Sequence, residues 1–186
     1  MAETGCLRDM AVQNLEVASS GVQLTQYTGY TKDQADGAAV TTTLTNSDHG
    51  SIVKTAFNCN NGETAIINLP ATVVNGFKCR IVLTADPAGT GTLTIRTNVA
   101  GNRLLSGGVI VASATAATSA CANAVPASND SSVSLTFTGA ATNCDFAAGS
   151  VIEVEGIATA TTSPGYLLTG YVLGFGTGTG GSIGFA

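Results

Sequence analysis

Hydrophobic and polar residues alternate along much of this chain with a period of two, which is typical of β-strands. In the stretch FKCRIVLTA, for example, Phe77, Cys79 and Ile81 fall on one side of an extended backbone, and Lys78 and Arg80 fall on the other. Runs of this kind, bounded by Gly, Asn, Asp or Pro, are residues 39–46, 51–58, 63–70, 77–85, 92–98, 109–116, 132–139, 150–158 and 165–175. We expect a β-strand in each run and turns at the bounding residues.

Short strands that follow one another without helical patterns between them predict a sandwich or a barrel. The runs within residues 39–175 fit an all-β fold, a jelly-roll-like β-sandwich whose two four-stranded sheets pack face to face. An immunoglobulin-like sandwich is the alternative, but the tryptophan typical of that fold is missing, since the sequence contains none. The jelly roll is therefore the predicted architecture.

Both ends of the chain lack this alternation. Residues 1–38 show no sustained period, and we interpret them as an extended N-terminal arm that lies over its own domain or over a neighbouring subunit. Residues 176–186 form a glycine-rich tail with the apolar residues Ile183 and Phe185 near its end, which suggests docking into a groove of the same or the next subunit. Removing this tail is expected to weaken association between subunits more than it lowers the stability of the domain.

The composition argues against nucleic acid and membrane partners. The chain has 186 residues and a formal net charge of -5, and its seven Lys and Arg residues are scattered rather than clustered. No apolar run approaches the roughly 18 residues of a membrane span, and the N-terminus does not resemble a secretory signal. Because only 10% of the residues are charged, we expect a surface of neutral Thr, Ser and Asn that neighbouring subunits partly cover.

The five cysteines are spread singly along the chain and form no CxxC pair, so the sequence predicts neither a zinc site nor a compact disulfide framework. We interpret them as free and mostly buried thiols. A disulfide between Cys59 and Cys79 is the alternative, because these two residues could lie on neighbouring strands.

Residues with catalytic side chains are few. The single histidine, His49, follows Ser47 and Asp48 in one turn, where the three side chains diverge and cannot form a Ser-His-Asp triad. We interpret His49 as a loop residue whose replacement by Ala changes little. Glu153 and Glu155 share one face of a strand, which indicates a solvated sheet face; half of a calcium site is the alternative. We therefore expect no enzyme activity, no metal and no cofactor.

The order of four stretches in the middle of the chain, LTNSDHGSIVKTAF, TAIINLPA, NGFKCRIVLTA and GTLTIRTN, resembles the small virion structural proteins of marine tailed phages. The C-terminal GGSIGFA is similar to the ends of those chains. The resemblance implies a capsid decoration or cement protein, a small β domain that acts as a homotrimer on the shell of major capsid protein. It also implies synthesis in the host cytoplasm and a final location on the capsid surface of the virion.

The leading hypothesis is a cement protein that binds the outside of a phage head and bridges neighbouring capsomers. The residues expected to make contacts between subunits or with the capsid are Met10, Val12, Leu15, Val22, Leu24, Tyr27, Tyr30, Ile183 and Phe185. One alternative is a receptor- or glycan-binding head domain of a phage fibre or spike, with Tyr27, Tyr30 and Tyr166 as stacking residues. Another is a jelly-roll coat protein, although the basic inner arm of many such shells is missing.

Overall fold

The computed structural model describes residues 15–17, 22–24, 31–34, 39–55, 63–84, 91–113, 132–140, 143–144, 148–158, 164–173 and 182–186. The strands in this part of the chain are β1 (Leu15–Val17), β2 (Val22–Leu24), β3 (Thr31–Gln34), β4 (Ala39–Thr43), β5 (Ile52–Thr55), β6 (Thr64–Asn68), β7 (Lys78–Leu83), β8 (Thr92–Arg96), β9 (Arg103–Leu104), β10 (Val109–Ser113), β11 (Ser134–Ala140), β12 (Asn143–Cys144), β13 (Val151–Ile157), β14 (Gly165–Leu173) and β15 (Ser182–Phe185). A single turn of 3-10 helix, Asn46–Asp48, lies between β4 and β5.

Two large sheets contain nearly all of these strands. The seven-stranded sheet has the order β10-β14-β13-β7-β5-β3, with β9 also paired to β14. The six-stranded sheet has the order β12-β11-β8-β6-β4, with β15 also paired to β11. The strands β1 and β2 form a separate antiparallel pair. The prediction of an all-β protein built from two sheets is confirmed, and every predicted run contains a strand.

The direction of the strands differs from that of a jelly roll. From β3 to β8 the chain passes from one sheet to the other at every connection, so β3, β5 and β7 run parallel in one sheet. In the same way β4, β6 and β8 run parallel in the other. Between β3 and β8, two neighbouring parallel strands of one sheet are therefore connected through a strand of the other sheet, which serves as the crossover that parallel pairing requires. Among the described strands of each sheet, one runs opposite to all the others: β13, which is antiparallel to β7, and β11, which is antiparallel to β8. The antiparallel connectivity of a jelly roll is therefore not confirmed.

The core lies between the two sheets and is lined by the inward side chains of both. Tyr166 on β14 is fully buried there, and its ring meets Phe77 edge-on with centroids 6.2 Å apart. Its hydroxyl donates a hydrogen bond of 2.7 Å to the carbonyl oxygen of Pro70, just after β6. A buried tyrosine needs such a partner, and this one ties the seven-stranded sheet to the end of a strand of the other sheet.

A tight turn precedes β7 and depends on glycine. The backbone N–H of Phe77 donates to the carbonyl of Val74 at 3.1 Å, and Gly76 within the turn has a φ of 79°. Side-chain-bearing residues rarely adopt this conformation. The turn also packs closely on β13, where a Cβ added at Gly156 would lie 2.5 Å from the Val74 carbonyl oxygen.

The two sheets extend into segments that the sequence assigned to the arm and the tail. The strand β3, with the sequence TKDQ, pairs with β5, and β15, with the sequence SIGF, pairs with β11. Neither segment shows a long hydrophobic alternation, because an edge strand has fewer neighbours to pack against than a central one. The rest of residues 1–38 and residues 176–181 lie outside the described part of the chain, β1 and β2 excepted.

Candidate functional site

The outward surface of the seven-stranded sheet is the first of two candidate surfaces, and we call it the ladder face. Its side chains alternate with the buried residues of the same strands and are exposed or half-buried. They are Ile52 and Lys54 on β5; Lys78, Arg80 and Val82 on β7; Val151, Glu153 and Glu155 on β13; Leu167, Thr169 and Tyr171 on β14; and Val109 and Val111 on β10.

Two ion pairs join neighbouring strands at the centre of the ladder face. Arg80 lies opposite Glu153 in the register, and its Nη2 is 2.8 Å from Glu153 Oε1. Lys78 lies opposite Glu155, with Nζ 3.5 Å from Oε1. All four side chains are about half exposed, so each pair adds at most about 1 kcal/mol to stability. Both cations stand on β7 and both carboxylates on β13.

The far side of the ladder face is apolar. Val109, Val111 and Tyr171 are 38%, 41% and 48% exposed, which makes them three of the six large hydrophobic side chains that the described residues expose. Val111 and Tyr171 are direct register partners on β10 and β14. Clustering of exposed apolar side chains on one face, next to charged ones, is typical of a surface that binds another protein.

A cavity of about 380 Å³ opens between the charged side chains, with Lys78, Arg80, Glu153, Glu155 and Leu167 in its lining. Its volume is at the lower end of the range for small-molecule sites. The cavity lies between rows of outward side chains on the surface of the sheet.

Cys79 lies in β7 between the two cations and faces the core. Burial raises the pKa of its thiol to about 12, and the negative charge of Asp48 adds to the shift. The thiol is therefore protonated at neutral pH and is a poor nucleophile. Cys79 is a buried free thiol, as the sequence predicted. Cys59, the other member of the alternative disulfide, lies outside the described residues.

The turn that contains Asp48 and His49 fixes one end of this sheet. The Asp48 carboxylate accepts hydrogen bonds from the backbone N–H of Thr45 at 2.7 Å and from Lys32 Nζ at 3.0 Å. Burial by itself would raise the pKa of Asp48, but these partners outweigh it and hold the pKa below its ordinary value. His49 Nδ1 accepts the backbone N–H of Lys78 at 3.0 Å. His49 thus supports the start of β7, a role that the sequence did not predict.

The outward surface of the six-stranded sheet is the second candidate surface, and we call it the threonine face. Its register rows are Thr64–Thr92–Thr138, Thr41–Ile66–Thr94–Thr136 and Thr43–Asn68–Arg96–Ser134. The hydroxyl oxygens of Thr94 and Thr136 are 3.3 Å apart, and Arg96 Nε donates to Asn68 Oδ1 at 2.9 Å. Neutral hydroxyl and amide groups dominate this face, in agreement with the surface expected from the composition.

The predicted contact residues fall into three groups. Met10, Val12, Tyr27 and Tyr30 lie outside the described residues. Leu15 on β1 is the register partner of Leu24 on β2, and Val22 pairs with Val17 in the same hairpin. Ile183 and Phe185 on β15 are half-buried and pack against the core of their own chain. The expected contacts with other subunits or with a capsid stay a prediction.

The assignment of Tyr166 as a stacking residue for glycans is wrong, because its side chain is fully buried. Tyr171, five residues further along β14, is the exposed tyrosine of this strand. The ion pairs Lys78–Glu155 and Arg80–Glu153, which together we call the ladder, were not predicted from the sequence. Their signal in the sequence is the matched spacing of Lys78-x-Arg80 and Glu153-x-Glu155, which places like charges on one face of each of two strands.

Among the described residues, no group of three or more His, Cys, Asp and Glu side chains is placed to hold a metal ion. The described part of the chain also contains no helix long and apolar enough to cross a membrane. Comparisons with protein-family models, with curated proteins and with solved structures find no match to this chain.

Proposed function

We propose that this protein is a capsid decoration, or cement, protein that binds the outer surface of a phage head and bridges neighbouring capsomers. The observation that carries the proposal is the threonine face, the largely neutral outward surface of the six-stranded sheet. Hydroxyl groups both donate and accept hydrogen bonds. Apart from Arg96, which lies in the outermost of its three rows, such a face can therefore cover another protein's polar surface without burying unpaired charge, which is costly.

The threonine face is too small for tight binding through one copy. Strands β4, β6, β8, β11 and β15 span roughly 24 Å at about 4.8 Å per strand, and three rows of outward residues cover about 14 Å along the strands. The resulting area of a few hundred Å² is below the roughly 800 Å² per partner of a standard interface. A homotrimer with three such contacts gains avidity, because binding of the second and third copies is intramolecular.

In this proposal the two ends of the chain have different roles. Ile183 and Phe185 fasten β15 to β11 and so complete one edge of the threonine face. Contacts between subunits are then assigned to the N-terminal segment that contains Leu15, Val22 and Leu24.

The test is co-sedimentation with emptied heads of the phage whose genome encodes the chain. The variant that combines Thr94→Lys with Thr136→Glu puts two charges on the threonine face and still allows a cross-strand pair, so the fold should persist. We expect the unaltered protein to sediment with the heads and this variant to remain in the supernatant. Val99→Lys, at a loop residue that is 42% exposed, is the control and should bind normally.

Two results would contradict this proposal. Failure of the unaltered protein to bind heads would refute the cement function. Equal binding by the charged variant would show that another surface touches the capsid. The receptor- or glycan-binding head is the alternative, and saturable binding to a glycan array would favour it, although burial of Tyr166 removes one of its three expected stacking residues.

A further inference from the structure

We propose that the ladder face docks onto the ladder face of a second copy of this chain, around a two-fold axis that runs parallel to the strands between β7 and β13. This inference does not depend on the proposed capsid function, because it concerns only contacts between identical chains. The occupant is identified by the arrangement of charge on the face.

The charges of the ladder are separated by strand, with Lys78 and Arg80 on β7 and Glu153 and Glu155 on β13. A half-turn about the proposed axis lays β7 of each copy over β13 of the other. Arg80 of one copy then faces Glu153 of the other, and Lys78 faces Glu155. Each cross-strand ion pair becomes a group of four alternating charges, repeated on both sides of the axis as an isologous contact requires.

The same charges exclude the other face-to-face arrangement. A two-fold axis that runs across the strands would lay β7 over β7 and β13 over β13. Lys78 and Arg80 would then face the same cations of the second copy, and the carboxylates of β13 would face each other. Like charges brought together at an interface cost several kcal/mol, so only the axis parallel to the strands is favourable.

Residues beside the ladder also find complementary partners around the proposed axis. The register aligns Lys54, Val82, Val151 and Tyr171 in one row across β5, β7, β13 and β14. The half-turn places Val82 over Val151 and Lys54 over Tyr171 of the second copy. The first contact buries apolar surface, and the second brings an ammonium group to the face of an exposed aromatic ring, an attractive arrangement.

The size of the face indicates a weak contact that depends on concentration. Four strands span about 19 Å and three rows of outward residues about 14 Å, which gives a projected area of a few hundred Å² per copy. This is at the low end of specific interfaces. Side chains of the second copy would enter the 380 Å³ cavity between the charged rows, as side chains do between the two sheets of a sandwich. Because the ladder is half exposed, salt should weaken the contact.

The experiment uses two variants of the full chain with opposite single-sign ladders. Lys78→Glu with Arg80→Glu makes the ladder entirely acidic, and Glu153→Lys with Glu155→Lys makes it entirely basic. The average mass of each is measured by sedimentation equilibrium at low and high salt. Circular dichroism and thermal unfolding check that each variant is folded. The variant that carries all four substitutions exchanges the charges of β7 and β13 and restores both ion pairs, so it serves as a folded reference.

We expect the unaltered protein to show an association step that doubles its basic unit, monomer or trimer, and that weakens as salt is added. Each single-sign variant should associate with itself at least about tenfold more weakly, since a cost of 1.4 kcal/mol is already a factor of ten. An equimolar mixture of the two variants should restore association, and the exchange variant should behave like the unaltered protein. Tyr171→Lys should weaken the step, whereas Val99→Lys should not.

Three outcomes would overturn the inference: no doubling by the unaltered protein at about millimolar concentration, self-association of the single-sign variants at the normal strength, or a mixture that fails to associate. Binding of the same variants to emptied heads is scored separately. A protein that binds heads and never doubles would refute the ladder contact alone. One that doubles and never binds heads would refute the cement function alone.

Discussion

Phe185 should contribute to the folding of its own chain, not only to contacts between chains. It lies on β15 opposite Leu135 of β11, and its half-buried ring packs against the core cluster. The strand is held further by backbone bonds between Ala186 and Ser134, at 2.9 Å and 3.0 Å. Replacing Phe185 with Ala removes the ring and leaves this backbone pairing in place, so the change isolates the packing contribution.

The expected cost follows from burial. Phe→Ala at a fully buried core position costs about 3–5 kcal/mol, including the cavity that remains. Phe185 is at the sheet edge and keeps part of its ring in water, so about half of that cost, roughly 2 kcal/mol, is the expected loss in the free energy of unfolding. Tyr171→Ala, at a side chain that is 48% exposed, should change it by less than about 0.5 kcal/mol.

Urea unfolding followed by circular dichroism measures both changes, at a fixed protein concentration so that association does not vary. A Phe185→Ala variant that unfolds like the unaltered protein but associates more weakly would refute this reasoning. Phe185 would then act between subunits, as the sequence alone suggested. Deleting residues 176–186 cannot make this distinction, because it also removes β15 from the six-stranded sheet.

Two further substitutions test the close approach between β13 and the turn before β7, and the hydrogen bonds of the Asp48 carboxylate. Gly156→Ala should lower the free energy of unfolding by about 1–3 kcal/mol, since its Cβ would lie 2.5 Å from the Val74 carbonyl oxygen; Gly184→Ala meets nothing within 4 Å and should be nearly neutral. Equal effects of the two would contradict the close approach. The depressed pKa of Asp48 gives stability that is present above the ordinary pKa of 3.8 and is lost as pH falls through the lower folded value. Asp48→Asn should cost about 1–3 kcal/mol at neutral pH and flatten the acid limb of a stability profile between pH 2 and 7, whereas Asp33→Asn, at an exposed residue of β3, should not.

The turns that precede β5 and β7 could be predicted from the sequence only in part. The sequence marks Gly76 as a turn residue, and the structure gives it a φ of 79°. It did not indicate that His49 would support the neighbouring strand through the backbone N–H of Lys78. The turn depends on local conformation, whereas the hydrogen bond joins residues that only the folded sheet brings together.

Alternation in the sequence was enough to find the nine strands with clear periodicity and to say which of their residues share a face. Alternation is a local property of an extended chain, so Phe77, Cys79 and Ile81 could be separated from Lys78 and Arg80 without any knowledge of their neighbours. The same rule puts Tyr166 and Tyr171 on opposite faces of β14, but it does not say which face is buried.

The direction and the partners of the strands become known only from the folded structure. Parallel pairing of β3, β5 and β7 arises because the chain changes sheets at each connection, and alternation carries no record of strand direction. Pairing also adds β3 and β15, from the two ends of the chain, to the edges of the sheets. It places Arg80 opposite Glu153, which is 73 residues away in the chain. The candidate surfaces consist of neighbours that are distant in sequence, so they exist only once the sheets have formed.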